Sequence, residues 1–291
     1  MVRLHCRLLV SLMALCLALV PTTRLSADLV ELYDVAAGTL PGDQGWLAVV
    51  PAPSTEQHNG NWLNLDTTTD RASQAGYFSE SPFNGALQHP DMPVLDRLAG
   101  FHIDFQLQVL SEGHNTRDDN GDGLDDRAGF SLIAISEDLL GLEVGFFEDR
   151  VWVYAAAGEG TNSLFTQAEG IAWDTTQMHD YRLTLLGGNY LLSANGSSLL
   201  TGSLRNYNPS GVNPLFDPYD NPSFLFLGDD TTSADSNVLL GSISVSSIPE
   251  PSGVLILTLL LGRVAVRRKH RAQTNARQAD PSPANPIDRA A

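Results

Sequence analysis

Between Phe101 and Val109 the chain reads Phe-His-Ile-Asp-Phe-Gln-Leu-Gln-Val, with an apolar residue at every odd position and a polar one at every even position. Successive side chains of a strand point to opposite faces, so this alternation specifies a β-strand with one face on a core and the other in water. Other strand candidates lie at Gly129 to Ile135, Leu142 to Phe147, Val151 to Ala156, Tyr181 to Leu186, Tyr190 to Ala194, Phe224 to Leu227 and Val238 to Ser246. Less regular candidates are Leu29 to Asp34, Gly45 to Val50 and Trp62 to Leu65. Turn formers separate them. Gly187-Gly188-Asn189 and Asn195-Gly196 are strong hairpin signals. Many short strands without a long amphipathic helix predict an all-β domain, an antiparallel β-sandwich or jelly roll. Residues 28–247 are enough for one sizeable core, and no long Pro-, Gly- and Ser-rich stretch divides them.

Both ends of the chain read as addresses. Arg3 and Arg7 precede the apolar run Leu8 to Val20, and Ser26-Ala27 supplies small residues for cleavage, the layout of a secretory signal peptide over residues 1–27. An uncleaved anchor is the alternative, but about 20 residues are needed to span a bilayer and this run is shorter. Cys6 and Cys16 both lie here, so the exported chain is expected to hold no disulfide, thiolate nucleophile or cysteine metal site. At the other end, Pro249 and Pro251 remove backbone donors and close the domain. The apolar segment Val254 to Val266 follows, then Arg267-Arg268-Lys269-His270-Arg271, a basic cluster that belongs on the cytoplasmic side of a membrane. Residues 272–291 are polar and proline-rich and are expected to form a disordered tail.

The net charge of −17 hides an asymmetry. Residues 28–247 carry 31 Asp and Glu against seven Arg and no Lys, a difference of −24. Such a field repels phosphate backbones, which argues against nucleic acid as a partner, and it attracts divalent cations.

One loop has cation-binding spacing. In Asp118-Asp119-Asn120-Gly121-Asp122-Gly123-Leu124-Asp125-Asp126, oxygen-bearing side chains fill positions 1, 3 and 5, and Gly123 permits a sharp turn at position 6. Leu124 offers its carbonyl at position 7, and Asp126 falls at position 9. Asp118, Asn120, Asp122, Leu124 and Asp126 are thus candidate ligands of Ca2+, similar to the calcium loops of dockerins and thrombospondin type 3 repeats. Gly129 stands where an EF-hand places a bidentate Glu. A solvated acidic hairpin is the alternative. Gly228-Asp229-Asp230-Thr231-Thr232 lacks this spacing and reads as an ordinary Asp/Thr turn.

Catalytic patterns are scarce. Family-16-type glucanases resemble this sandwich class and carry Glu-x-Asp-x-x-Glu on one strand; the nearest match here, Glu143 to Glu148, has Gly145 at the central position. No Gly-x-Ser-x-Gly, His-Glu-x-x-His or phosphate-binding glycine loop occurs. His58, His89, His102, His114 and His179 read as surface or turn residues, and the chain is expected not to be an enzyme. Trp46, Trp62, Trp152 and Trp173, with Tyr77, Tyr154, Tyr190, Tyr207 and Tyr219, are expected mostly in the core or rim of the sandwich, since aromatics favour strands; a sugar-stacking platform among them is the alternative.

Pro249-Glu250-Pro251, the apolar segment and the basic cluster resemble the PEP-CTERM sorting signal over residues 248–271. Two departures stand out: Arg263 interrupts the apolar run, and twenty residues follow the basic cluster. The resemblance implies export, transient anchoring in the inner membrane by the C-terminal segment, and processing by an exosortase-type enzyme. Asp126 to Leu132 and Phe224 to Asp230 resemble choice-of-anchor domains, and more distantly concanavalin A-like or laminin G-like sandwiches. The expected function is that of a cell-surface or extracellular-matrix protein, a structural or adhesive module associated with polysaccharide. The alternative is a secreted glycoside hydrolase-like enzyme acting on exopolysaccharide.

Overall fold

A computed structural model describes residues 28–81, 88–156, 165–207 and 217–249. The expected signal peptide, Glu250, Pro251, the apolar segment, the basic cluster and the expected tail lie outside the described residues. Among the described residues no helix is long and apolar enough to cross a membrane.

Two antiparallel sheets pack face to face as a sandwich, and the strands are numbered in chain order. The first sheet is built on two 14-residue strands, β6 (Phe101–His114) and β15 (Ala234–Ser247). On the β6 side lie β11 (His179–Leu186), β12 (Asn189–Ala194) and β13 (Ser197–Ser203); on the β15 side lie β4 (Leu63–Asp66) and β3 (Thr55–His58). β1 (Leu29–Tyr33) pairs with the far end of β15, so the first and last strands of the domain are neighbours. The second sheet has the order β10 (Gln167–Ala172), β9 (Arg150–Tyr154), β8 (Gly141–Phe146), β7 (Ser131–Ile135), β14 (Phe224–Asp229), β5 (Ala75–Phe78) and β2 (Leu47–Val49).

The alternation in β6 does what its period requires. Phe101, Ile103, Phe105, Leu107 and Val109 are buried between the sheets, while the residues between them are part-exposed. Asn195 and Gly196, at φ 51° and 77°, turn β12 into β13 with two left-handed residues, as a tight two-residue hairpin demands.

The second sheet departs from the one-wet-face pattern. Leu132, Ala134, Leu142, Val144 and Phe146 face the inter-sheet core. Ile133, Ile135, Trp152, Phe224 and Phe226 face outward, yet they are buried in a second cluster with Tyr207 and Tyr219 from the connecting segments. β7, β8 and β14 are therefore buried along their whole length. Burial on both faces is why β7 reads as a continuous apolar run after Ser131 rather than as an alternation.

Candidate functional site

The outer face of the second sheet carries the candidate site, and strand register builds it. Ile133 on β7 lies opposite Glu143 on β8 and opposite Phe226 on β14, which in turn lies opposite Phe78 on β5. The adjacent row holds Gly145, Ser131, Gly228 and Gly76. Small residues are needed there because the neighbouring rings lean over them: a Cβ on Gly145 would stand 2.9 Å from the Trp152 ring, and one on Gly76 would stand 2.5 Å from the Phe226 ring. Packing thus explains why glycine stands at 145, where the glucanase pattern has Asp. Glu148 is apart from Glu143, beyond the end of β8, and accepts the Glu112 backbone N–H at 3.1 Å.

A cavity of about 290 Å³ opens over the Phe78, Ile133, Glu143 and Phe226 row. Tyr154, Phe165 and Tyr219 give it aromatic walls, and Asp230, Arg117 and Arg127 give it charged ones. Glu143 is 2% exposed, and its carboxylate end receives the Tyr219 hydroxyl at 2.5 Å. Asp230 follows the end of β14, accepts the Ser131 hydroxyl at 3.2 Å, and is hydrogen-bonded to Glu143. Burial, reinforced by the Asp230 charge, pushes the Glu143 carboxyl well above the ordinary carboxylate range. Burial also raises Asp230, but the Ser131 hydroxyl, the Glu143 hydrogen bond and the Arg127 charge favour its ionised form. Burial thus disfavours the charged form of both carboxyls.

The Asp-rich loop supports the rim. Asp119 receives Nε of Arg117 at 2.9 Å and Nη2 of Arg127 at 3.0 Å, which lowers its pKa. Asp126, fully buried, accepts the backbone N–H groups of Asp119 at 2.7 Å and Gln167 at 2.9 Å. Arg127 also binds the carbonyl oxygens of Asp126 and Phe165. The loop is thereby tied to β10 and to the cavity wall.

The five candidate calcium ligands are placed unequally. Asp118 accepts the backbone N–H groups of Gly121, Asp122 and Gly123 at 2.6, 3.1 and 2.9 Å, and these donors hold its carboxyl below the usual range. Asn120 donates to Asp122 at 3.0 Å, and Asp122 accepts the Leu124 N–H at 2.8 Å. Asp126 points inward, away from this turn. Among the described residues no group of three or more His, Cys, Asp or Glu is placed to hold a metal ion. Of the sorting motif only Pro249 is described, just after Ile248, whose N–H donates to the Gly100 carbonyl at 3.0 Å.

Other sequence readings need correction. His89 is 3% exposed, hydrogen-bonds the Leu32 carbonyl at 2.9 Å and packs edge-on against Trp46, so it is a core residue. His114 sits between Glu112 and Asp125 and stacks on Phe147, and the Glu112 hydrogen bond raises its pKa. The Gly228 to Thr232 segment is more than a turn, since Asp229 is buried and Asp230 lines the cavity. No local pattern marks these two acids. The one available signal was a pair of carboxylates directly after an apolar strand.

No family model matches the chain, and no curated protein is similar to it in sequence. Among solved structures it is similar to a carbohydrate esterase from the Shiga toxin-encoding bacteriophage phi24B, at 16% identity and a TM-score of 0.46, covering 76% of this chain and all of that one. It is also similar to a sialidase, at 12% identity and a TM-score of 0.44, and to Trypanosoma rangeli sialidase, at 14% and 0.38. These matches cover 75% and 69% of this chain, which spans only 18% and 27% of the two sialidases. None transfers a residue or a reaction to this chain. The expectation that the chain is not an enzyme does not stand beside these neighbours, an esterase and sialidases, whose likeness to it is one of fold. It rested on missing linear motifs, and a linear motif cannot register Glu143 and Asp230, which meet only across β7.

Proposed function

We propose that the protein is an exported, polysaccharide-directed β-sandwich whose ligand site is the cavity on the outer face of the second sheet. One observation carries this reading: within a single cavity, the aromatic walls of Tyr154, Phe165 and Tyr219 stand beside the polar ends of Glu143, Asp230 and Arg117. A sugar ring calls for that combination, because its C–H faces pack on aromatic rings while its hydroxyls need convergent polar partners. The volume is at the small end of the roughly 300–1,000 Å³ typical of ligand sites, which suits one sugar residue of a longer chain. Export, sorting by an exosortase-type enzyme and transient inner-membrane anchoring belong to the same proposal and rest on the two terminal segments. Calcium at the 118–126 loop is a further part of it, with Asp118, Asn120, Asp122 and the Leu124 carbonyl as donors, Asp126 being committed to backbone amides.

The test is a glycan array read with the wild-type protein and with Glu143→Gln and Asp230→Asn, whose shapes are nearly unchanged. Binding by the wild type that both variants weaken supports the reading; an array empty for the wild type overturns it.

A second reading, hydrolysis of the bound polysaccharide, is favoured by the burial of Glu143 in the cavity wall, which raises its pKa in the direction a general acid needs. A reducing-sugar assay on array-positive glycans separates binding from cleavage.

A further inference from the structure

We propose that the ligand of this cavity is an anionic glycan, a polymer containing uronic acid, whose carboxylate is taken by Arg117 with Arg127 supplying a second, fixed positive charge. The proposal rests on reading the cavity as a glycan site and names the class of sugar that it selects.

The argument begins with scarcity. Residues 28–247 contain seven arginines and no lysine against 31 carboxylates. Most of the arginines are used structurally: Arg71 pairs with Asp235, Arg97 with Asp138, Arg182 with Asp104 and Arg205 with Glu169, while Arg150 donates to Gln167. The remaining two, Arg117 and Arg127, both line the same cavity. In a domain this acidic, two of seven cations at one site is a local concentration of positive charge.

Their partners leave the charge available. Asp119 receives both guanidiniums but is not part of the cavity wall, so it orients them from behind. Arg127 has a side chain only 12% exposed, held by two carbonyl oxygens and Asp119, and acts as a fixed charge. Arg117 is different: its side chain is 50% exposed, and Asp119 engages its Nε. Among the described residues its two terminal nitrogens have no hydrogen-bond partner. A planar fork with its stem oriented and its two outer nitrogens open matches a carboxylate in bidentate geometry. The facing acids do not cancel this. Burial disfavours the charged forms of Glu143 and Asp230, which weakens their opposition to a bound carboxylate, and no other acid is among the described residues of the wall.

The test measures binding of the full-length protein to a panel of uronic-acid oligomers, to the same oligomers as methyl esters, and to neutral oligoglucans of equal length. Methyl esters keep the sugar ring and remove the charge. A charge-assisted hydrogen bond is worth about 1.5–3 kcal/mol, so the acids should bind at least about tenfold more tightly than their esters. Arg117→Gln should abolish that preference without lowering the melting temperature, whereas Arg182→Gln, an equal charge change on the first sheet, should preserve it. Equal affinity for acid and ester, or a preference that survives Arg117→Gln, overturns the proposal while the cavity stands as a neutral-glycan site. Failure of every glycan in the panel to bind overturns both this proposal and the glycan reading beneath it.

Discussion

Replacing Asp229 by Asn should stabilise this protein increasingly as the pH rises. Asp229 is 1% exposed, and burial pushes its pKa up to about 9. The hydrogen bonds around it oppose that shift only in part: Asp229 accepts the Thr67 hydroxyl at 2.8 Å and the Thr231 N–H at 3.1 Å, both of which favour the ionised form, and burial outweighs them. An Asn side chain at 229 has no charge to bury at any pH. Unfolded Asp titrates near 3.9, so between about pH 4 and pH 9 the folded state holds one more proton at this site than the unfolded state does. This contribution is fully present below the unfolded pKa and declines as pH rises toward the folded one, at about 1.4 kcal/mol per pH unit. Between pH 5 and pH 8 the stability difference between variant and wild type should therefore move by about 4 kcal/mol in favour of Asn. Glu112, Asp126, Glu143 and Asp230 are raised in the same direction, but they are common to both proteins and cancel in the difference. Urea unfolding of both at pH 5, 6.5 and 8 measures it; parallel stability curves would show that Asp229 is ionised in the fold and would refute the reasoning.

Gly145→Ala should cost about 1–3 kcal/mol, because the added methyl meets Trp152 at 2.9 Å and Ala128 at 3.1 Å in a filled outer cluster; unchanged thermal stability would mean that this cluster is loose. If calcium occupies the 118–126 loop, a hundredfold excess over its dissociation constant should add about 2.7 kcal/mol of stability, and Asp122→Ala should remove the gain. A melting temperature indifferent to calcium sinks that part of the proposal. Mass spectrometry of the mature protein should find a C-terminus between Pro249 and Gly253, and an intact Ala291 would refute sorting by cleavage.

The long strand β6 was legible because Phe101 to Val109 alternates without a break; its partner β15 was legible as two shorter pieces, Val238 to Leu240 and Ile243 to Val245, whose phase changes where the register shifts between Leu240 and Ile243. The strands that escaped notice, β3, β5, β10 and β13, have weak periodicity of their own. Ser197 to Ser203, for instance, contains only two apolar side chains and is a strand because β12 pairs with it along its length. The candidate site was less legible. Glu143 was noticed only as part of an imperfect motif, and Asp230 only as part of a turn. Arg117 and Arg127 flank the Asp-rich loop in sequence, but nothing local marks them as lining a cavity.

The sequence by itself determined the all-β class, the hairpin turns, the apolar face of the first sheet, the strongly acidic body and the lack of cysteine in it. These follow from period, turn chemistry and composition, which act between residues close in the chain. Only the tertiary structure decided that the second sheet is covered on both faces, that Glu143 and Asp230 line one cavity across β7, and that two scarce arginines meet at the same wall. Those outcomes depend on which strands become neighbours and in what register, and pairing β7 with both β8 and β14 joins segments whose separation in sequence hides their chemistry.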